Sequence, residues 1–191
     1  HTHIRRVSVS SLLRTQFEWF YPLSEQHQIQ FKIDAPKELY WNTDSVYFKK
    51  ILANLISNAF KYTEDGGTVR ISLHEEENFL VLKVYNTGKG IEEADMQNIF
   101  DRYRILGTMD NDDNRQNTAR NGLGLFICHS LVQSLGGKID IESEVGQYAE
   151  FTVTLPFGIV EESSDDTIDE DIPVSLPSPN TDIQKPQISH T

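Results

Sequence analysis

Apolar positions along the chain change period several times, and each change predicts an element. Leu12, Leu13, Phe17 and Phe20 share one face of a helix expected from Ser10 to about His27, with Ser8 or Ser10 as candidate caps. Ile29-Gln-Phe-Lys-Ile33 alternates like a half-buried strand, and Leu39-Tyr-Trp41 is its expected partner. Asp44 to Tyr62 reads as a long helix whose stripe of Phe48, Leu52, Leu55, Ile56 and Ala59 suits packing on a sheet. Asp65-Gly66-Gly67 marks a turn into strands at about 68–74 and 79–86. A short helix near Ala94–Phe100 precedes an irregular stretch from Arg104 to Arg120. A helix from Leu123 to Leu135 then stops at Gly136-Gly137. Strands at about 138–143 and 149–155 close the pattern at Pro156. Grouped strands with intervening helices, no regular strand–helix–strand alternation and no internal repeat predict an α+β sandwich, with helices on one sheet face.

The pattern fades after residue 157. Gly158–Thr191 holds four of the seven prolines and no aromatic residue, and it carries −7 of the total charge of −12. Such a segment cannot bury enough apolar surface to offset its ordering entropy. The expected organisation is therefore a domain at 1–157 and an acidic, disordered linker at 158–191; a terminus without function fits the same composition.

Composition narrows the chemistry. The acidic balance argues against direct nucleic-acid binding, which needs a basic surface. No apolar run approaches the ~20 residues that span a bilayer, and no secretory signal is expected. Cys128 is the only cysteine, which excludes an internal disulfide and fits a reducing, cytoplasmic setting.

Three polar constellations stand out. Asn54, Asn58, Lys61 and Tyr62 fall along one stripe of the long helix, because positions three or four apart share a face. Asparagine is unfavourable inside a helix, so something should compensate. A carboxamide oxygen suits Mg²⁺, and a lysine one turn on can meet a phosphate; a solvated polar face is the alternative. Asn86-Thr-Gly88-Lys-Gly90-Ile91 follows a strand, where glycines allow positive φ and close backbone approach to a flat ligand. Asn121-Gly122-Leu123-Gly124-Leu125 opens a helix, where free amides can bind an anion. Either glycine stretch alone could be an ordinary turn. No Gly-Lys followed by Ser or Thr of a phosphate-binding P-loop is present.

In this order the three become specific. Asn54-x-x-x-Asn58-Ala-x-Lys61-Tyr62-Thr63 resembles the N box of sensor histidine kinases, residues 86–91 their first glycine box, and Phe100-Asp-Arg102-Tyr103 their F box. Gly122-Leu-Gly-Leu125 resembles the second glycine box, and Gly136-Gly-Lys-Ile, Ser143, Gly146 and Phe151–Pro156 match the final hairpin. The resemblance covers roughly residues 8–156. It implies the Bergerat ATP-binding sandwich shared with gyrase, Hsp90 and MutL: a mixed, mostly antiparallel sheet covered on one face by about three helices.

That resemblance implies roles. Asn58 would hold Mg²⁺, Asn54 and Lys61 would contact the ATP phosphates, and Tyr62 would line the pocket with Gly88, Gly90 and Ile91. Gly122, Leu123, Gly124 and Leu125 would face the triphosphate. Residues 104–120 would form a lid, disordered until nucleotide binds. Arg102, Tyr103, Arg115 and Arg120 would be lid-region contacts. Asn86 stands where the family usually carries Asp, so its neutral acceptor should bind adenine less strongly and soften discrimination against GTP. Arg120-Asn121 replaces a further glycine and should stiffen the lid hinge.

None of His1, His3, His27, His74, His129 or His190 has the context of the family's phosphoacceptor histidine. The resemblance therefore implies that the histidine, its dimerisation hairpin and any membrane-spanning sensor lie upstream, with a response regulator or receiver domain as the further partner. His129 and Cys128 read as packing residues. A degenerate nucleotide-binding module that signals without phosphotransfer is the competing reading. An ATPase clamp needs a glutamate on the N-box helix near the metal-binding Asn, and Tyr47–Asn54 contains none.

Overall fold

The computed structural model describes residues 1–101 and 115–161, with residues 115–123 described by their backbone alone. The elements run β1 (Arg5–Ser8), α1 (Val9–Gln26), β2 (Gln30–Asp34), β3 (Tyr40–Thr43), α2 (Ser45–Tyr62), β4 (Thr68–Glu76) and β5 (Phe79–Thr87). They continue with α3 (Glu93–Met96), α4 (Arg115–Ser134), β6 (Lys138–Glu144) and β7 (Tyr148–Pro156). Five strands form one sheet in the order β2-β4-β5-β7-β6, with β2 parallel to β4 and the other pairs antiparallel. Helices α1, α2 and α4 lie over one face of it, as the sequence predicts. No helix among the described residues is long and apolar enough to cross a membrane.

Strand alternation sets the core. Val69, Ile71 and Leu73 of β4, Leu80, Leu82 and Val84 of β5, and Phe151, Val153 and Leu155 of β7 all point to the helices and are buried. Against them α2 packs Phe48, Ile51, Leu52, Leu55 and Ile56, each fully buried. Asp44 fixes where α2 starts: Oδ1 accepts from the amides of Val46 (2.9 Å) and Tyr47 (3.1 Å), satisfying two of the helix's orphan donors. Its Oδ2 accepts from the His3 amide at 2.8 Å, which ties the N-terminal segment to the same point.

Two expectations about elements are corrected. The segment 39–41 does not pair with β2; β3 pairs antiparallel with β1, a strand the sequence pattern did not announce. The reason lies in the connection. Arg14 donates to the carbonyls of Pro36 and Lys37, and the Leu39 carbonyl and amide bond to α1 at Val9 and Ser10. These contacts carry β3 over α1 and away from β2. The second correction concerns α4, which begins at Arg115 and not at Leu123, so the expected irregular stretch is helical over 115–120. No proline or glycine interrupts Arg115–Asn121, and each added residue contributes a backbone hydrogen bond once a helix is nucleated.

The chain remains tied in just past β7. Trp41 donates to the Pro156 carbonyl at 2.9 Å and meets Phe157 edge-on, and Gly158 exchanges hydrogen bonds with Asn42. One compact unit spans His1–Glu161. The expected linker lies outside the described residues from 162 onward.

Candidate functional site

A cavity of about 350 Å³ opens between the C-terminal half of α2, the exit of β5 and the loop after it. That volume falls in the range of small-molecule sites. Asn58, Lys61, Tyr62, Asn86, Gly90 and Ile91, six of the residues singled out above, line it together.

Asn58 settles one alternative at its position. It is not on a solvated face: only 6% of it is exposed, and its Oδ1 has no hydrogen-bond partner among the described residues. An unpaired buried carbonyl costs about 1–3 kcal/mol, so this oxygen suits an electropositive occupant. A hard divalent cation fits that donor. No cluster of three His, Cys, Asp or Glu side chains exists among the described residues, so such an ion would draw its remaining ligands from a bound anion or water. Lys61 extends to the surface with its ammonium 5.3 Å from the Tyr62 ring centre. Partial burial pulls the Lys61 pKa down and pushes the Tyr62 phenol up.

Asn86 ends the inward-facing series Leu80, Leu82, Val84 and is 3% exposed. Its Nδ2 donates to the Thr87 carbonyl at 3.0 Å. That bond uses one of the two Nδ2 hydrogens, so Asn86 can meet a ligand as an acceptor through Oδ1 or as a donor through its second N–H.

The glycines after Asn86 serve the protein's own packing as much as ligand approach. Gly88 has φ +152°, and a Cβ there would sit 2.3 Å from the Tyr62 carbonyl. Gly90 has φ +67°, and its Cβ would lie 2.5 Å from the Glu144 carbonyl. The loop is then bound to the β6–β7 hairpin. Gly88 N donates to Gln147 O, Gly146 N to Lys89 O, and Ile91 N to Ser143 Oγ, whose hydroxyl donates on to Tyr148 O. Beneath the loop, Ile91, Ala149 and Phe151 form a buried apolar floor.

One turn before Asn58 on α2, Gly124 of α4 faces Asn54: a Cβ on it would lie 3.5 Å from Asn54 Oδ1. Leu125 is 3% exposed and belongs to the core. The expectation of free amides at Gly122–Leu125 is corrected, because these residues lie inside α4, where backbone amides are committed to the preceding turn. Phe100 stacks on His129 with centroids 4.8 Å apart, and Cys128 is fully buried, both packing roles as expected. Arg102 and Tyr103, and the lid expected at 104–120 as far as residue 114, lie outside the described residues. Arg115, Arg120, Gly122 and Leu123 are described by backbone only, within α4.

Sequence reasoning passed over two residues. Ser143 was noted only as part of a hairpin, and its brace on Ile91 spans 52 positions. Thr63 was quoted within a motif without a role, yet it lines the same cavity, 8% exposed, with a hydroxyl that has no partner among the described residues. Neither signal is local in the sequence.

Comparison with known proteins agrees with this geometry. Residues 43–159 match the family described as histidine kinase-, DNA gyrase B-, and HSP90-like ATPase. Sensor protein SrrB of Staphylococcus aureus is 36% identical over 120 residues, 63% of this chain and 20% of the relative. The chain thus spans about a fifth of the length of that curated relative. Among solved structures, the nucleotide-free catalytic domain of histidine kinase ThkA superposes with TM-score 0.69 at 24% identity, covering 82% of this chain and 97% of that one. Full-length ShkA in complex with AMPPNP superposes with TM-score 0.70 at 25% identity, covering 85% of this chain and 33% of that one.

Proposed function

This chain belongs to the family of histidine kinase-, DNA gyrase B- and HSP90-like ATPases, and we propose that it is the ATP-binding catalytic domain of a sensor histidine kinase. It would hold ATP and present the γ-phosphoryl group to a histidine on a dimerisation segment of the same protein. A response regulator or receiver domain would take the phosphoryl group next. One observation carries the reading: Asn58, on a helix otherwise built for packing, lines the same cavity as Asn86, and its buried Oδ1 has no partner among the described residues.

Each residue has a place in that scheme. Asn86 Oδ1 accepts from the adenine amino group while the base lies on Ile91, Ala149 and Phe151. Tyr62 walls the pocket, and Gly88 and Gly90 hold the loop that frames it. Asn54 and Lys61 stand on the phosphate side. Asn58 offers its oxygen to Mg²⁺, which when bound would neutralise triphosphate charge and fix its geometry. For the amides of Gly122 and Gly124 to meet phosphate, the turns of α4 ahead of them must open; Arg102, Tyr103 and Arg120 would add lid contacts. Transfer to a histidine is favoured over hydrolysis because Tyr47–Asn54 carries no carboxylate to activate water. The acidic segment at 158–191 would serve as a linker, and the setting would be cytoplasmic.

Calorimetric titration of the chain with ATP, with and without Mg²⁺, tests the reading beside an Asn58→Ala variant. Magnesium-dependent binding that the variant loses is expected. Absence of binding by the unaltered chain at millimolar ATP would overturn it.

A further inference from the structure

Thr63 follows the last residue of α2, and its backbone amide closes the helix on the Ala59 carbonyl. The hydroxyl is left over. It is buried and has no partner among the described residues, an arrangement native proteins rarely leave unexplained. Its geometry narrows the explanation. The methyl group is turned towards Gly67 and Thr87, since a Cβ on Gly67 would lie 2.6 Å from Thr63 Cγ2 and 2.6 Å from Thr87 Oγ1. The hydroxyl is therefore on a different branch from that contact, in a residue that lines the cavity. The neighbouring Tyr62 carbonyl packs directly against Gly88, so Tyr62–Thr63 runs alongside Asn86–Gly88. Lys61, on the phosphate side, lies before this point on the helix, and the apolar floor lies below it.

We propose that the Thr63 hydroxyl is a base-recognition group: it hydrogen-bonds the purine edge that Asn86 also meets, directly or through one water. This deepens the nucleotide-site reading above and rests on it. The two groups complement each other chemically. Asn86 Oδ1 offers an acceptor, which suits the amino group of adenine. A hydroxyl both donates and accepts, and it suits the ring nitrogen beside that amino group. Binding nucleotide then satisfies a group that has no partner among the described residues.

The test compares Thr63→Val, which keeps the shape, with Thr63→Ser, which keeps the hydroxyl. ATP and ADP affinities and the melting temperature of the nucleotide-free chain are measured for each. Thr63→Val should weaken ATP and ADP alike by about five- to tenfold, the scale of one neutral hydrogen bond. Thr63→Ser should bind as the unaltered chain does, and Thr63→Val should melt no lower without nucleotide. Unchanged affinity in Thr63→Val would overturn the proposal, with a lowered melting temperature then marking a structural water as the hydroxyl's partner. A loss confined to ATP, or one that Thr63→Ser fails to restore, would overturn it as well. If the unaltered chain bound no nucleotide, the underlying reading would fall first, and the two failures are thereby distinct.

Discussion

Ser143 receives the backbone amide of Ile91 on its hydroxyl at 2.7 Å and passes a hydrogen bond on to the Tyr148 carbonyl at 2.8 Å. One side chain of the β6–β7 hairpin thereby anchors the loop that frames the cavity. Beside it, Gly146 N reaches Lys89 O and Gly88 N reaches Gln147 O, so hairpin and loop form one braced unit.

Removing that hydroxyl should loosen the loop more than the fold. Ser143→Ala takes the acceptor from the Ile91 amide and removes one hydrogen bond to the Tyr148 carbonyl, a loss of about 1–2 kcal/mol for partly buried groups. Equilibrium urea unfolding should register that loss. Calorimetry should find ATP bound several-fold more weakly, because the loop must now be ordered on binding. Unchanged affinity would mean that the glycines alone hold the loop.

One N–H of the Asn86 amide is held by the Thr87 carbonyl, and its Oδ1 should meet the base as an acceptor. Guanine would set its O6 against Asn86 Oδ1, two acceptors facing each other without water. GTP should bind at least about tenfold more weakly than ATP, the equivalent of ~1.4 kcal/mol. Competition of GTP against labelled ATP measures this directly. Affinities within twofold of each other would show that the amide rotates or that its second N–H meets the guanine oxygen.

Cys128 lies fully buried on α4, and burial pushes its thiol from 9.0 up to about 12. The folded state therefore holds the thiol neutral where the unfolded chain would ionise it. The stability that this confers is whole below about pH 9 and is progressively lost as pH rises through 9 towards 12. A denaturation series should decline over that window more steeply than the same series on Cys128→Ala. In native conditions near pH 8 the thiol should resist alkylation until denaturant is added.

Much of this was legible because period carries direction. Alternation placed Leu80, Leu82 and Val84 on one face, and by the same count it placed Asn86 there: an amide in a core position, which is the local mark of a site. The 3.6-residue period likewise gathered Asn54, Asn58, Lys61 and Tyr62, and Asp44 announced the start of α2 through a capping preference. What failed depended on contacts distant in sequence. Nothing in residues 39–41 signals that Arg14 and Ser10 draw them to α1 and so to β1. The glycines of 122–125 read as a helix start with free amides, yet the helix begins at Arg115, where no proline or glycine stands in its way.

By itself, then, the sequence determined most of the elements, though not β1 or the start of α4, and with them the faces they bury and the order of the nucleotide-binding motifs, because propensity, capping and periodicity act over a few residues. Tertiary structure alone decided that the Asn58 oxygen and the Thr63 hydroxyl are buried without partners among the described residues, and that Ser143 braces Ile91. It also decided that Gly88 and Gly90 have no room for a side chain. Burial and hydrogen-bond satisfaction are properties of the assembled layers, since whether a polar atom meets water, protein or a ligand depends on what the rest of the chain brings to its other side.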